Sequence, residues 1–150
     1  MASINTTLCL PASLESLAKL SNALYEFVAP FSLDPALVYQ VDLASCEAFT
    51  NIVKHAVNYD DHQQVAITLA NDGRRLILTF SDSGTPIPDS ILQRWVTSPT
   101  LSPDPLDPSS WPEGGMGLIL IQSVMDDVSY QTVHGHNLLT LMKDLSIEPA

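Results

Sequence analysis

The sequence predicts an α+β fold, a two-layer sandwich in which a mixed, mainly antiparallel sheet carries its helices on one face. Two observations predict it. Alternating apolar and polar residues form a hairpin pattern from Gln64 to Ser81 around Asp72-Gly73, which is a strong antiparallel signal. Helix-like stretches lie before and after this hairpin, so helices and strands segregate into layers. With 150 residues, 45% of them hydrophobic, a single domain over 1–150 is expected.

The longest expected helix covers 34–58. Asp34 supplies an N-cap and Pro35 the first helical residue, and neither proline nor glycine interrupts the chain through Asn58. The run from Arg75 to Phe80 is typical of a strand. The other expected elements are a strand over 5–10, a helix over 13–28, a short helix over 88–96, a helix from Gly117, and two strands joined near Gly135.

Three short motifs suggest chemistry, and the first lies on the long helix. Glu47, Asn51 and His55 follow one another at helical spacing, so they share a face. A carboxylate and an amide one turn apart suit a site that orients a hydroxyl and holds a divalent cation. A solvated stripe on an amphipathic helix is the ordinary alternative for such a pair.

The second and third motifs are turns. Asp82 ends a strand two residues before Gly84, so its carboxylate is placed to accept a hydrogen bond from an exocyclic amine. An ordinary Asp-Ser-Gly turn is the alternative.

The glycine-rich turn over 114–117 opens into the apolar run 118–121, where backbone amides at a helix N-terminus converge on an anion. A loop that merely precedes a buried helix is the alternative.

In this order the motifs resemble the ATPase domain shared by gyrase, Hsp90, histidine kinases and MutL. The likeness is greatest to the anti-sigma-factor serine kinases of the RsbW type, which carry Glu-Ala-x-Thr-Asn-x-x-x-His-Ala and a Gly-Leu-x-Leu-Ile helix. The corresponding residues here are 47–56 and 117–121. The resemblance runs from about Leu8 to Lys143 and implies the Bergerat, or histidine-kinase-like ATPase, fold.

The resemblance also implies roles for single residues. Glu47 would be the general base that takes a proton from a protein serine, and Asn51 would ligate the magnesium ion of Mg·ATP. Asp82 would bind the adenine amino group, with Gly84 allowing close approach and Thr140 near the adenine. Lys54 is a candidate phosphate ligand or an ordinary surface lysine. The expected nucleotide-binding residues are Asn51, Lys54, His55, Asp82, Gly84, Gly115, Met116, Gly117, Leu118 and Thr140.

Composition excludes several classes of function. A formal charge of −11 argues against nucleic-acid binding, because the chain has no basic patch to meet phosphates. No basic leader and no apolar run of spanning length is visible, so we expect a cytoplasmic protein with no membrane contact. Cys9 and Cys46 are expected to be buried, reduced thiols rather than a disulfide or metal site. The four histidines make no zinc signature.

The segment 97–113 holds five prolines and four serines and is expected to be a mobile loop, the ATP lid of the family. It contains no Lys or Arg, and Met116 stands where relatives often have a basic residue. The resemblance implies a kinase that phosphorylates a small STAS-like antagonist, sequesters a sigma factor or other regulator, and forms a homodimer. Tyr25 and Phe27 are candidates for a partner surface, although Phe27 is expected in the core.

Three alternatives remain. The first is an ATP-binding regulatory module that binds its partner without efficient phosphoryl transfer, which the cation-poor loop favours. The second is the detached catalytic domain of a histidine kinase, in which a second Asn usually stands in place of Glu47. The third is a structural domain that no longer binds ATP, and it requires all three motifs to be incidental.

Overall fold

The computed structural model describes residues 4–88 and 116–145, with side chains from Leu120 onward in the second segment. The expected helix after Pro88 and the expected loop over 97–113 lie outside the described residues. The described helices are α1 (Leu17–Val28), α2 (Pro35–Asn51) and α3 (Met116–Val124), and the strands are β1 (Ile4–Pro11), β2 (Gln64–Asn71), β3 (Arg75–Asp82), β4 (Asp127–Val133) and β5 (His136–Asp144).

The five strands form one sheet in the order β1-β2-β3-β5-β4. Every neighbouring pair is antiparallel, so the α+β class with a mainly antiparallel sheet is confirmed, and no parallel pair occurs among the described strands. The hairpin β2–β3 turns as expected, because Asp72 accepts hydrogen bonds from the backbone N–H groups of Arg74 and Arg75 at 2.9 and 2.8 Å. These donors lower the pKa of the Asp72 carboxyl.

One face of the sheet carries the core. Alternate residues of the three central strands are buried there and pack against apolar side chains of all three helices. On this inner face Phe80 of β3 lies opposite Ile67 of β2 and Leu139 of β5. Fully buried residues from the helices include Leu20, Leu24 and Phe49. The sandwich therefore has two layers, with the described helices on one side.

The opposite, outer face of the sheet has a different character. A row of five hydroxyl side chains crosses all five strands in direct register, namely Thr7, Thr68, Thr79, Thr140 and Ser129. Thr7 and Thr68 hydrogen-bond through their hydroxyl groups at 3.1 Å. No charged residue stands in this row, although the whole chain carries a formal charge of −11.

Helix α2 begins as expected but ends earlier. Asp34 caps it by accepting a hydrogen bond from the backbone N–H of Ala36 at 2.9 Å. The expected end at Asn58 is wrong, because a π-helical turn over Ile52–Ala56 follows α2. Asn58 and Tyr59 then adopt φ angles of +52° and +63°. Two successive left-handed residues stop any helix, which is why the helical spacing fails after the π-turn.

The expectation for the cysteines is wrong for Cys9 and partly right for Cys46. Both are free thiols. Cys9 is exposed because the alternation of β1 places it on the outer face. Cys46 is partly buried between α1 and α2 beside Ser21 and Asp42, and burial raises the pKa of its thiol.

Of the two candidate surface aromatics, Tyr25 is exposed and Phe27 packs against the core as expected. The Phe27 ring also meets Phe31 edge to face, with centroids 5.4 Å apart. Within residues 4–88 and 116–145, no helix is long and apolar enough to cross a membrane.

Candidate functional site

A cavity of about 280 Å³ lies between the end of α2 and the inner face of the sheet. This volume is close to the lower end of the range usual for small-molecule sites, about 300–1,000 Å³. The walls are mostly apolar, with a few polar groups that converge on the space. The described lining residues are Ala48, Asn51, Ile52, His55, Ala56, Asp82, Thr85, Pro86, Ile87, Pro88, Tyr130 and Leu139.

The π-turn shapes the helical wall of the cavity. The backbone N–H of Val57 donates to the carbonyl of Ile52 at 3.0 Å, five residues back, so the turn is wider than an α-helical one. The carbonyl of Ala56 instead accepts a hydrogen bond from the backbone N–H of Thr85 at 2.7 Å. The end of the helix is thereby joined directly to the turn that follows β3.

Asp82 ends β3 with its side chain on the inner face, only 5% exposed. Its Oδ1 atom accepts hydrogen bonds from the Gly84 backbone N–H at 2.8 Å and from Asn137 Nδ2 at 2.9 Å. Within the described part of the chain no donor reaches Oδ2. Because Asp82 lines the cavity, this second oxygen is the group available to a donor on a ligand.

Gly84 is required by the close approach of two backbone segments. A Cβ atom at this position would lie 2.3 Å from the carbonyl oxygen of Ala56, a distance that real Cβ atoms do not adopt. Gly84 is not among the residues that line the cavity. The glycine of the Asp82-x-Gly84 motif therefore makes room for the helix end.

Asn137, which the sequence did not predict as a site residue, is 1% exposed on the inner face of β5. Its Nδ2 donates to Asp82 Oδ1 and to the Gly84 carbonyl, both at 2.9 Å, and its Oδ1 accepts from Thr132 Oγ1 at 2.8 Å. The available signal was a polar residue two positions before Leu139, on the same face of β5 as Leu139 and Leu141.

Tyr130 of β4 was also missed, and it forms part of the cavity wall. Its hydroxyl oxygen accepts a hydrogen bond from the backbone N–H of Ile87 at 2.9 Å, which fixes the segment after the Asp82 turn. Burial raises the pKa of the Tyr130 phenol, with the nearby Asp82 carboxylate adding to the shift. The sequence held little signal for it beyond its being the sole aromatic residue of β4.

The structure brings three of the sequence-predicted residues together at the cavity, namely Asn51, His55 and Asp82. Glu47 lies one helical turn before Asn51 and is partly buried, outside the cavity lining. Lys54 is exposed on the π-turn and does not line the cavity.

Thr140 is a correction. It stands on the outer face of the sheet, in register with Thr79, while the next residue toward the N-terminus, Leu139, lines the cavity. Strand alternation therefore turns the Thr140 side chain away from the site.

The third motif is described only in part. Gly115 lies outside the described residues, and Met116, Gly117 and Leu118 form the first turn of α3 by their backbone. The helix start at Met116 is close to the start that the sequence predicts at Gly117. The role of these residues in phosphate binding stays a prediction.

The cavity wall includes the polar side chain of Asn51, and its described residues carry little positive charge. The Nδ2 atom of Asn51 is buried and has no hydrogen-bond partner within the described residues. A buried amide left in this state costs about 1–3 kcal/mol, so a bound group that accepts its hydrogen bond is favoured. Among the described lining residues none is Lys or Arg.

Comparison with known proteins places the chain in a family. Residues 10–143 match the family model described as the histidine kinase-like ATPase domain. Serine-protein kinase RsbW of Bacillus thuringiensis (strain Al Hakam) is 33% identical over 105 residues, 70% of this chain and 62% of that protein. RsbW of Bacillus anthracis (strain A0248) is 32% identical over the same shares. The matched segment thus spans less than two thirds of the length of these relatives.

Two solved structures share the fold. The RsbU and RsbW domains of Rv1364c from Mycobacterium tuberculosis superpose with a TM-score of 0.61 at 19% identity, covering 98% of this chain and 34% of that one. The SiaB–SiaC complex from Pseudomonas aeruginosa gives a TM-score of 0.63 at 16% identity, covering 93% and 89%. Because the family model spans most of the sequence and these folds agree with it, this chain belongs to the histidine kinase-like ATPase domain family.

Proposed function

We propose that this protein binds Mg·ATP and phosphorylates a serine or threonine of a small antagonist protein, and so controls which partner it holds. One observation carries the proposal. Asp82 and Asn51 both line the cavity, and within the described residues no donor reaches Oδ2 of the buried Asp82 carboxylate and no acceptor reaches the buried Nδ2 atom of Asn51. These two groups suit the two ends of a nucleotide, which has a donor on its base and acceptors on its phosphates.

At the base end, Asp82 Oδ2 accepts a hydrogen bond from the exocyclic amine of adenine. The apolar walls provided by Ile52, Ile87 and Leu139 suit the faces of a flat base. A carboxylate that is 5% exposed discriminates strongly in favour of a donor, because an unpaired buried charge is costly.

At the phosphate end, Asn51 offers an amide oxygen of the kind that Mg²⁺ prefers and a buried N–H₂ group suited to a phosphate oxygen. Bound Mg²⁺ would reduce the negative charge that develops on the transferred phosphoryl group. The N-terminus of α3, which Gly114 and Gly115 precede in the sequence, would add backbone N–H groups and a partial positive charge.

Glu47 is the proposed general base. It lies one turn before Asn51 on the same helix, where a protein substrate that reaches the γ-phosphate would place its hydroxyl. The Glu47 carboxylate takes the hydroxyl proton as the serine oxygen bonds to the γ-phosphorus. The bond from that phosphorus to the bridging oxygen breaks, and the products are a phosphoserine and ADP. The relatives named serine-protein kinase support this type of acceptor.

The proposed partners follow from the relatives and neighbours. The names RsbW and SiaB–SiaC belong to a serine-protein kinase and to a complex with a second protein, and both support a protein substrate for this chain. By the same resemblance, we propose that the partner is a STAS-like antagonist and that a sigma factor or other regulator is held in its absence. Residues 1–150 are proposed to form one domain, with 97–113 as the ATP lid.

A homodimer is also part of the proposal, and the outer face of the sheet supports it. The hydroxyl row centred on Thr79 is uncharged in a strongly acidic chain, so two copies that meet there avoid mutual repulsion. The same face on both copies satisfies two-fold symmetry.

A second candidate function is a nucleotide-binding module that holds its partner without efficient phosphoryl transfer. It is favoured by the lack of Lys and Arg among the described lining residues and by the exposed position of Lys54 away from the cavity. Phosphoryl transfer usually needs positive charge at the γ-phosphate, which in this case would fall to Mg²⁺ or to a partner.

Calorimetric titration with ATP, with and without Mg²⁺, tests nucleotide binding. We expect Mg²⁺-dependent binding by the wild-type protein and at least about a tenfold loss of affinity in Asn51→Ala, since the variant lacks the amide oxygen. No binding by the wild-type protein would refute the proposal.

Transfer is measured with γ-labelled ATP and a purified STAS-like antagonist, with its Ser→Ala form as a blank. We expect Glu47→Ala to keep nucleotide affinity and to lose about 10²–10⁴-fold in rate, because a general base contributes about this much. Glu26→Ala, which removes an exposed carboxylate of α1, is the matched control. Transfer by Glu47→Ala at the wild-type rate would exclude the general-base role, and binding without any transfer by the wild-type protein would favour the binding module.

A further inference from the structure

Asp82 belongs to a row of three polar side chains that crosses the sheet beside the cavity. Asn137 of β5 lies directly opposite Asp82 of β3, and Thr132 of β4 lies directly opposite Asn137. All three occupy the inner face, where the next row of the same strands is apolar at Phe80 and Leu139. Asp82 and Asn137 are buried, whereas Thr132 is exposed on the edge strand. Buried polar groups such as the first two need hydrogen-bond partners.

The hydrogen bonds of this row fix the orientation of the Asn137 amide. The Gly84 carbonyl and the Asp82 carboxylate accept hydrogen bonds only, so the N–H₂ group must face both of them. The Oδ1 atom of Asn137 then faces Thr132 Oγ1, which donates to it at 2.8 Å. In the flipped amide, Asn137 Oδ1 would face two other acceptors, Asp82 Oδ1 and the Gly84 carbonyl oxygen, so only one orientation is compatible with the surroundings.

This orientation has two effects on Asp82. First, Oδ1 already accepts two hydrogen bonds, from Asn137 Nδ2 and from the Gly84 backbone, and this holds the carboxylate plane. Second, both hydrogens of the Asn137 amide are used within the protein, so Asn137 presents no donor to the cavity. The polar group that this row offers to a base is therefore an acceptor, the Oδ2 atom of Asp82.

We propose that Asn137 is a positioning residue that makes the site select a base with an exocyclic amine and reject one with a carbonyl at the same place. The inference rests on the proposed nucleotide binding and concerns which base is taken. Adenine presents an N–H₂ group to Asp82 Oδ2, whereas hypoxanthine and guanine present an oxygen. When Asp82 Oδ2 faces a base carbonyl in a buried site, neither oxygen has a hydrogen-bond donor. Such a site discriminates strongly against the base that carries the carbonyl.

Asn137 acts through Asp82 and through the Gly84 carbonyl, because no described atom of its own remains free for the ligand. Without the amide, Asp82 keeps only the Gly84 backbone donor on Oδ1, and its carboxylate is free to rotate or to admit water. The cavity then accommodates a carbonyl-bearing base through a bridging water. Selectivity, more than affinity for any one nucleotide, is the property that Asn137 supplies.

The experiment compares ADP with inosine diphosphate, whose base has a carbonyl in place of the exocyclic amine and carries a proton on N1. Both dissociation constants are measured by calorimetry for the wild-type protein, for Asn137→Ala and for Thr132→Val. The matched control is Ser83→Ala, which removes the 3.2 Å hydrogen bond between Ser83 Oγ and His136 Nδ1 at the same turn. A variant that only loosens the structure weakens the binding of both nucleotides by the same factor. The ratio of the two dissociation constants is therefore the informative quantity.

We expect the wild-type protein to prefer ADP by at least about 100-fold. In Asn137→Ala the preference falls by about tenfold or more, chiefly through weaker ADP binding. Thr132→Val removes only the hydrogen bond to Asn137 Oδ1, so the amide is held less firmly and the preference falls by less. This variant tests the role of Asn137 if Asn137→Ala does not fold. Ser83→Ala keeps the wild-type ratio.

Two other results have different meanings. A wild-type protein that binds ADP, with a preference unchanged in both Asn137→Ala and Thr132→Val, overturns the role of Asn137 and leaves the proposed function standing. A wild-type protein that binds neither nucleotide overturns the proposed function and this inference with it.

Discussion

Gly84 offers the sharpest test of how the site is built, because its side-chain position is filled by another part of the backbone. In Gly84→Ala the new Cβ would lie 2.3 Å from the Ala56 oxygen, 2.5 Å from the Ala56 carbonyl carbon and 3.0 Å from the Ala56 Cβ. Backbone atoms cannot rotate aside as a side chain does. The turn after β3 must therefore move away from the π-turn, and the 2.7 Å hydrogen bond from Thr85 to Ala56 is lost.

The expected cost follows from these two effects. Overpacking costs about 1–3 kcal/mol, and the lost backbone hydrogen bond adds about 0.5–1.5 kcal/mol, so Gly84→Ala is expected to destabilise by about 2–4 kcal/mol. Gly135→Ala is the matched control. Gly135 has φ of +80° and no neighbouring atom within 4 Å of the built Cβ, so its cost is conformational strain alone, about 1–2 kcal/mol.

Urea denaturation measures both variants. With a slope of about 1–3 kcal/mol/M, Gly84→Ala is expected to lower the midpoint by about 1–2 M, and Gly135→Ala by less. Gly84→Ala should also weaken ADP binding, since the turn that it displaces carries Asp82, whereas Gly135→Ala should not. If Gly84→Ala proved no less stable than Gly135→Ala, the steric explanation for the glycine in this motif would be wrong.

Two further predictions concern the base and the outer face. Asp82→Asn keeps the shape of the side chain but turns an N–H₂ group toward the cavity, because the amide oxygen still accepts from Gly84 and Asn137. ADP affinity is expected to fall about 10–100-fold with no fall for inosine diphosphate, and equal losses for both would contradict the acceptor role. Thr79→Lys puts a charge at the centre of the hydroxyl row and is expected to dissociate the proposed homodimer in sedimentation velocity, while Gln63→Lys, at an exposed loop, is expected to leave it intact. A wild-type protein that sediments as a monomer would exclude the homodimer.

Much of the fold was predictable because its signals are local. The Asp34 cap and Pro35 defined the start of α2, and Asp72 with Gly73 defined the hairpin turn. The hairpin then fixed the phase of β2 and β3, whose alternation is clear. Such signals depend on residues only a few positions apart, so they can be recognised without knowing how the remainder of the chain folds.

The errors occur where the local pattern is ambiguous. Strand β5 contains Leu138, Leu139 and Met142 beside Thr140, so both of its faces are apolar enough to be the core. The pattern therefore gave no check on the place near the adenine that the resemblance implied for Thr140. Cys9 was placed inside for the same reason, since its neighbours Leu8 and Leu10 are apolar. Alternation gives two faces and does not say which one the helices cover.

The sequence by itself determined the order of the elements, the helix that carries Glu47 and Asn51, and the carboxylate at the end of β3. Only the tertiary structure decided what surrounds that carboxylate. Asn137 lies 55 positions away from Asp82 along the chain and meets it through strand pairing. Gly84 is confined by a carbonyl that the π-turn exposes. Contacts of this kind depend on register and on the path of the backbone, which no short stretch of sequence encodes.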